Sequence, residues 1–306
     1  MNNKYQSTRM SKFIYGSKKY SKYWNSFNGS MFLRDFNTNM AIEFAYKPSR
    51  GEFFTIESSY DTLKEMITVN DYSYLEYELS SIISRVIYNM ILRGKAFLEV
   101  VYYMDDEGCT KGFDFQTFNY KKYIKFRKNT RFYYKNRINE ECIKGHFDIP
   151  NNNLIIFKLS DLGLHKKEFY SIEKRLRNID ITKIPLSKIN ELNINVSEYE
   201  KEEELEILSA TKNIPWNTRS NNIITEPYSI YRLAKFKKIK LNLLEYIIKQ
   251  INDKISEIGI KYNFEGKITY KTLSIKEVEE IVRKMGEGDI LIKDVIDYLF
   301  CNKIYK

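Results

Sequence analysis

Apolar residues along this chain change their spacing at Gly94. From Leu75 to Ile91 they recur every three or four positions, which predicts an amphipathic helix over residues 72–93. From Ala96 onward they alternate with polar residues, which is the period of a strand. Gly94 stands where a helix commonly ends in left-handed backbone. The two periods together predict a helix that runs directly into a strand-rich region.

Several further segments have the length and composition of strands. Those after Ala96 are separated by short turn sequences, among them Lys128-Asn129-Thr130, which favours an antiparallel meander between 96 and 160. The predicted strands are Met31–Leu33, Ala41–Ala45, Glu52–Ile56, 96–104, 112–118, 121–127, 131–136, 141–147, 153–159 and one near 259–271.

Helical patterns return after these strands, over 168–179, 186–212 and 228–258, and two more helices are predicted around Gly286 and Gly288. The pattern predicts an α+β fold, with an antiparallel strand-rich central region flanked by long amphipathic helices. The expected organisation is a basic, aromatic-rich arm (1–30), an α+β domain with the antiparallel sheet (31–165) and a mainly helical region (166–306).

Positive charge is concentrated in two parts of the chain, whose formal net charge is +10. Residues 1–50 contain nine basic and two acidic residues, a net +7, and residues 111–145 contain ten and three, again +7. Acidic residues concentrate instead in Glu198–Glu206. Clustered positive charge is typical of proteins that contact a polyanion such as nucleic acid, although a solvated basic surface has the same composition.

The basic strands at 121–137 interleave lysine and arginine with tyrosine and phenylalanine. Basic side chains neutralise phosphates and aromatic rings stack on bases, so this pattern favours non-specific nucleic-acid binding. An ordinary antiparallel sheet, with aromatic residues inward and lysines outward, predicts the same alternation. The candidate nucleic-acid-binding residues in the arm and the strands are Lys18, Lys19, Lys22, Lys121, Lys122, Lys125, Arg127, Lys128 and Arg131.

Candidate catalytic residues are few. The two histidines and three widely separated cysteines have no metal-ligand or disulfide spacing, so we predict no metal site and no cofactor. Glu265-Gly-Lys267, with Asp253 upstream, loosely resembles the Asp…Glu-x-Lys arrangement of restriction-type nucleases, in which carboxylates hold Mg²⁺ near an attacking water. Such a triplet also arises by chance in a chain rich in lysine and glutamate. The absence of a complete catalytic constellation favours a protein without enzymatic activity.

Targeting signals are not found in the sequence. No run of about 18 apolar residues is present, which predicts no membrane-spanning segment, and the charged N-terminus lacks the apolar run of a signal peptide. The odd, scattered cysteines fit a reducing compartment. We therefore expect a cytoplasmic or virion-associated protein that is not secreted.

The junction Leu92-Arg-Gly-Lys-Ala-Phe-Leu-Glu-Val100 resembles the portal proteins of tailed bacteriophages. In that family a helix ends in a Leu-x-Gly-x-Ala segment that enters a strand, a strand-rich wing follows, and an Ile-Ile-His-like strand closes it. The closing strand here is Asn153-Leu-Ile-Ile-Phe157, with Phe157 where a polar residue is more usual. The resemblance extends over about residues 75–300. It implies a non-enzymatic homo-oligomeric ring through which DNA passes, with terminase and capsid proteins as partners.

Two other functions remain open from the sequence. One is a nucleic-acid-binding protein of a mobile element, acting through the basic arm and sheet. The other is a metal-dependent nuclease that uses Glu265 and Lys267. Oligomer size separates the portal-like protein from the first alternative, and Mg²⁺-dependent cleavage identifies the second.

Overall fold

The structure is a computed structural model, and it describes residues 27–37, 54–58, 75–104, 107, 110–118, 120–138, 141–181, 196–217, 227–270 and 273–300. Seven α-helices and eight β-strands lie in this part of the chain. In order they are α1 (Phe27–Asn37), β1 (Phe54–Ser58), α2 (Leu75–Arg93), β2 (Lys95–Met104), β3 (Thr110–Thr117), β4 (Lys122–Lys125), β5 (Asn129–Ile138), β6 (Glu141–Pro150), β7 (Leu154–Lys158), α3 (Lys166–Ile181), α4 (Val196–Ala210), α5 (Pro227–Tyr262), β8 (Gly266–Tyr270), α6 (Ile275–Glu287) and α7 (Ile292–Phe300).

The predicted α+β class is confirmed, and every described strand pair is antiparallel. The strands form an inner sheet in the order β3–β2–β7, an outer sheet in the order β4–β5–β6, and a two-stranded β1–β8 ribbon. The predicted single meander is wrong, because β7 pairs with β2 rather than continuing from β6. Strand β2 carries buried apolar residues on both faces, which lets it lie between the helices and the outer sheet. Ala96 and Leu98 face the main core with the helices, whereas Phe97 faces the outer sheet.

The junction at Gly94 has the conformation that the sequence predicts. Gly94 has φ 79°, and its N–H donates to the Met90 carbonyl at 2.7 Å, which ends α2. The Gly94 carbonyl accepts from the N–H of Leu159 at 3.0 Å, just after β7. The same glycine therefore ends the helix, starts β2 and fixes where the returning chain leaves β7.

The first described helix corrects a prediction. Met31–Leu33, predicted as a strand, lies in α1. Phe32 and Phe36, one helical turn apart, are fully buried, and their rings pack against Trp216 (5.8 Å between centroids) and Phe236 (4.6 Å). Three consecutive apolar residues cannot distinguish a strand from a buried helix, and aromatic packing one turn apart selects the helix here.

The remaining predicted elements are largely confirmed, with shifted ends. Helix α5 covers the predicted 228–258 helix and continues to Tyr262, so the strand predicted near 259–271 is shorter than expected and begins only at Gly266. The hairpin turn predicted at Lys128-Asn129-Thr130 lies two residues earlier, because Asn129 already belongs to β5. The predicted strand Ala41–Ala45, residues 186–195 and residues 1–26 of the arm lie outside the described residues, and the three-part division of the chain stays a prediction.

Helix α5 buries basic side chains in the main core. Its 36 residues include Arg232, Lys237 and Lys240, which are all almost fully buried. The ammonium of Lys240 donates to the carbonyl of Asp35 at 2.7 Å, near the end of α1, and that of Lys237 donates to the carbonyl of Leu299 at 2.8 Å in α7. These bonds join three helices, but burial of a charge is costly, and it lowers the pKa of Lys240 to about 7 and that of Lys237 to about 8.

Candidate nucleic-acid interface

The described surface includes a strongly basic segment, 121–128, here called the basic turn, which contains β4 and the turn into β5. It holds five basic residues and no acidic residue. All five basic side chains are exposed, namely Lys121, Lys122, Lys125, Arg127 and Lys128. The structure thus brings six of the nine predicted binding residues, these five and Arg131 of β5, onto the β4–β5 hairpin. Lys18, Lys19 and Lys22 lie outside the described residues, and their role stays a prediction.

Asn151, in the short 3₁₀ turn after β6, holds the backbone of the basic turn. Its side-chain amide donates to the carbonyls of Phe126 (3.0 Å) and Arg127 (3.1 Å), and its N–H donates to the carbonyl of Lys128 (3.0 Å). The buried hydroxyl of Thr130 donates to the Asn151 side-chain oxygen at 2.7 Å. One residue therefore binds three consecutive carbonyls, and these hydrogen bonds constrain the backbone of the basic turn.

The outer sheet separates aromatic residues from charge as the alternation predicts. Phe132 is fully buried, and its ring packs against Phe97 (5.0 Å), Phe118 (4.8 Å) and Phe147 (5.5 Å) on the face toward the inner sheet. On the opposite face the ammonium of Lys122 lies 4.6 Å from the centre of the Tyr133 ring. Most aromatic residues of this segment therefore serve packing and leave the cations to solvent.

Two large apolar side chains depart from this separation. Ile124 and Phe126 are each 42% exposed, and both lie among the five cations. The sequence pattern alone does not show which aromatic residue of the segment stays accessible. The structure identifies it as Phe126, the first residue after β4.

Arg131 differs from the other predicted binding residues. Its guanidinium donates two hydrogen bonds of 2.8 Å to the carboxylate of Asp148, directly opposite on β6. This pairing raises the pKa of Arg131 further above its ordinary value. The carbon of the guanidinium group lies 5.5 Å from the centre of the Phe126 ring. A charge already paired in this way is less available to a phosphate than the five exposed cations of the basic turn.

Two further cations reach the base of the outer sheet from the Gly94 junction. The guanidinium of Arg93 lies 4.4 Å over the Tyr120 ring and donates to the Tyr120 carbonyl. The ammonium of Lys95 donates to the Tyr123 hydroxyl at 3.2 Å. Sequence reasoning did not assign Arg93 and Lys95 to this surface, because only the packing of the outer sheet on β2 brings the junction beside β4.

The residues of the nuclease hypothesis lie on α5, on β8 and in the segment just before β8. Lys267 on β8 pairs with Glu57 of β1 at 2.9 Å, Glu265 is exposed before β8, and Asp253 is exposed on α5. Within the described ranges, no group of three or more histidine, cysteine or acidic residues is placed to hold a metal ion. In the same part of the chain, no helix has both the length and the apolar character required to cross a bilayer.

Comparison of the sequence with models of known protein families and with curated proteins finds no significant match.

Proposed function

We propose that this chain is a non-enzymatic structural protein of the portal type, which forms an oligomeric ring associated with DNA passage. The observation that carries the proposal is the path of the chain around β2. Helix α2 enters β2 through Gly94, the chain then builds the whole outer sheet, and β7 returns to pair with β2 from Lys95 to Glu99. A helix-to-strand junction, a strand-rich excursion and a closing strand are the features on which the portal resemblance is based.

Charge distribution supports the association with DNA. The five cations of the basic turn lie at the end of the outer sheet, on a hairpin held by Asn151. Phosphate contacts of this kind need no base recognition, which suits a protein that meets DNA of any sequence. In this proposal terminase and capsid proteins are the partners, and the protein is located in the cytoplasm or the virion.

The proposal is tested by the mass and shape of the purified protein. Light scattering or native mass spectrometry should give one closed assembly larger than a dimer, and negative-stain images should show rings. A protein that stays monomeric from micromolar to submillimolar concentration, at both low and moderate salt, would contradict the proposal. The exposed acidic side chains of α4, such as Glu202 and Glu204, offer a complementary surface for head-to-tail contacts, so low salt should favour assembly.

A second candidate is a nucleic-acid-binding protein of a mobile element that acts without forming a ring. The basic turn favours it, because its cations are exposed within a single chain. Binding of DNA by a species with the mass of one chain would support this candidate over the first. Mg²⁺-dependent DNA cleavage that disappears in Glu265→Ala would instead support the nuclease hypothesis, and we expect no such cleavage.

A further inference from the structure

Phe126 occupies an unusual position for a large apolar side chain. It is 42% exposed, and its neighbours along the chain are Lys125 and Arg127. Exposure of an aromatic ring to water is unfavourable, and a phosphate backbone alone would give the ring no apolar surface to contact. The faces of nucleic-acid bases provide that surface, beside phosphates that suit the neighbouring cations.

The ring is also held in place from one side. Asp148 fixes the guanidinium of Arg131 through two hydrogen bonds, and the carbon of that guanidinium group lies 5.5 Å from the centre of the Phe126 ring. A cation at this distance over an aromatic face is attracted to it. Arg131 therefore contacts both Asp148 and Phe126, and it covers one face of the Phe126 ring.

The backbone beneath the ring is equally constrained. Asn151 binds the carbonyls of Phe126 and Arg127, and the N–H of Phe126 donates to the Asn129 carbonyl at 2.8 Å. A side chain that is positioned before binding loses less conformational entropy when a ligand arrives. The ring is thus prepared to accept a flat partner on its uncovered face.

We infer that the basic turn binds single-stranded nucleic acid, with one base stacked on Phe126 and the flanking phosphates held by Lys125, Arg127 and Lys128. In this arrangement Arg131 is a positioning residue for Phe126 and does not bind a phosphate. A single strand is required because a duplex hides the faces of its bases within the stack. The inference rests on the proposed association with DNA and adds the form of DNA that this surface prefers.

The test measures fluorescence anisotropy of full-length protein with a labelled oligothymidylate of about 20 nucleotides and with a duplex of equal length, over a series of salt concentrations. We expect tighter binding of the single strand. Phe126→Ala should weaken it by about 5- to 150-fold, the range for removal of one stacked base, without changing the salt slope. Ile124→Ala is the matched control, because Ile124 is equally exposed on the same hairpin, and it should change the affinity little.

Charge variants separate phosphate binding from base stacking. The triple variant Lys125→Gln, Arg127→Gln, Lys128→Gln should reduce the salt slope by about 0.7 for each phosphate that is no longer neutralised. Lys144→Gln, at an exposed position on β6, is the control for a cation outside the basic turn. Arg131→Met should lower the single-strand affinity and leave the slope nearly unchanged. A decrease in slope of about 0.7 in Arg131→Met would show that Arg131 itself neutralises a phosphate and would overturn its positioning role.

Outcomes for the two proposals are distinguishable. Equal affinity for single strand and duplex, together with no effect of Phe126→Ala, would overturn the inference and leave the association with DNA intact. No binding of either oligonucleotide at low salt would contradict the association itself. Binding to vesicles of anionic phospholipid, but to neither oligonucleotide, would overturn the inference and assign the exposed Phe126 and its cations to a membrane surface instead.

Discussion

Replacement of Lys240 by methionine tests how much a buried charge costs this fold. Lys240 is fully buried on α5, and its ammonium donates to the Asp35 carbonyl at 2.7 Å. Burial lowers its pKa from 10.5 to about 7, although the nearby carboxylate of Asp35 acts in the opposite direction. Methionine has a similar length and no charge, so it fills the same volume while removing the ammonium.

The magnitude follows from the difference between the folded and unfolded pKa values of Lys240. A difference from 10.5 to about 7 means that folding is about 5 kcal/mol less favourable with Lys240 charged than with Lys240 neutral. Between these pH values the unfolded chain keeps a proton that the folded chain has released. The free energy of unfolding therefore rises with pH, by at most about 1.4 kcal/mol per pH unit. From pH 7 to pH 9 the contribution of Lys240 is about 2 kcal/mol by the same relation.

Urea unfolding of the wild type and of Lys240→Met at pH 7, 8 and 9 measures this contribution. The wild type should become more stable relative to the variant by about 2 kcal/mol over this range, and Lys237 contributes equally to both proteins. At pH 7 we expect the variant to be as stable as the wild type or more stable, because the hydrogen bond that it removes is worth only about 1 kcal/mol.

Lys249→Met is the control, since it removes an exposed lysine from the same helix and keeps Lys240. It should retain the wild-type rise with pH. Parallel pH profiles for wild type and Lys240→Met would refute the reasoning, because they would mean that Lys240 keeps its proton in the folded protein.

Three further substitutions test individual sites. Burial raises the pKa of Glu173, although Arg177 at 3.9 Å acts in the opposite direction, and within the described part of the chain neither carboxylate oxygen has a hydrogen-bond partner. The folded protein should therefore lose stability as pH rises above about 4.5, and Glu173→Gln should become more stable relative to wild type between pH 4 and pH 8 in urea unfolding. Gly259→Ala should lower the unfolding free energy by about 1–3 kcal/mol, because a Cβ there would collide with the backbone carbonyl of Phe264. Gly286→Ala should raise the unfolding free energy by up to about 1 kcal/mol, because Gly286 lies in α6 and its Cβ would meet the Tyr231 hydroxyl at an ordinary van der Waals distance. Equal thermal shifts for the two glycine variants would contradict both arguments.

Local periodicity was sufficient to predict the helix-to-strand junction at Gly94. The helix before Gly94, its end in left-handed backbone and the strand after it all follow from spacing and one glycine, and the structure confirms them. Trp216 could not be placed in this way. It follows Pro215 in a mainly polar stretch of the sequence, but it is buried, and its indole N–H donates to the carboxylate of Asp35 at 2.8 Å, 181 positions away in sequence.

The same limit applies to the candidate interface. Alternation predicts that lysines such as Lys122 and Lys125 face solvent, and they do. It cannot predict that Arg131 meets Asp148, because that pairing depends on the register of β5 against β6. The hydrogen bonds from Asn151 to the basic turn likewise cannot be predicted from the sequence, because they depend on where the chain lies after β6.

The two sides of β2 explain how a basic surface can be placed on this fold without weakening its core. The outer sheet packs through a small cluster of its own, in which Phe97 of β2 meets Phe132 of β5, while the next residue, Leu98, belongs to the main core with the helices. The basic turn lies on the outer sheet, and its five cations are exposed. Substitutions there remove charge without opening either core, so a change in nucleic-acid binding can be separated from a change in stability. We therefore expect neutral replacements of these cations to change the free energy of unfolding little, because the cations repel one another in solvent rather than in the interior.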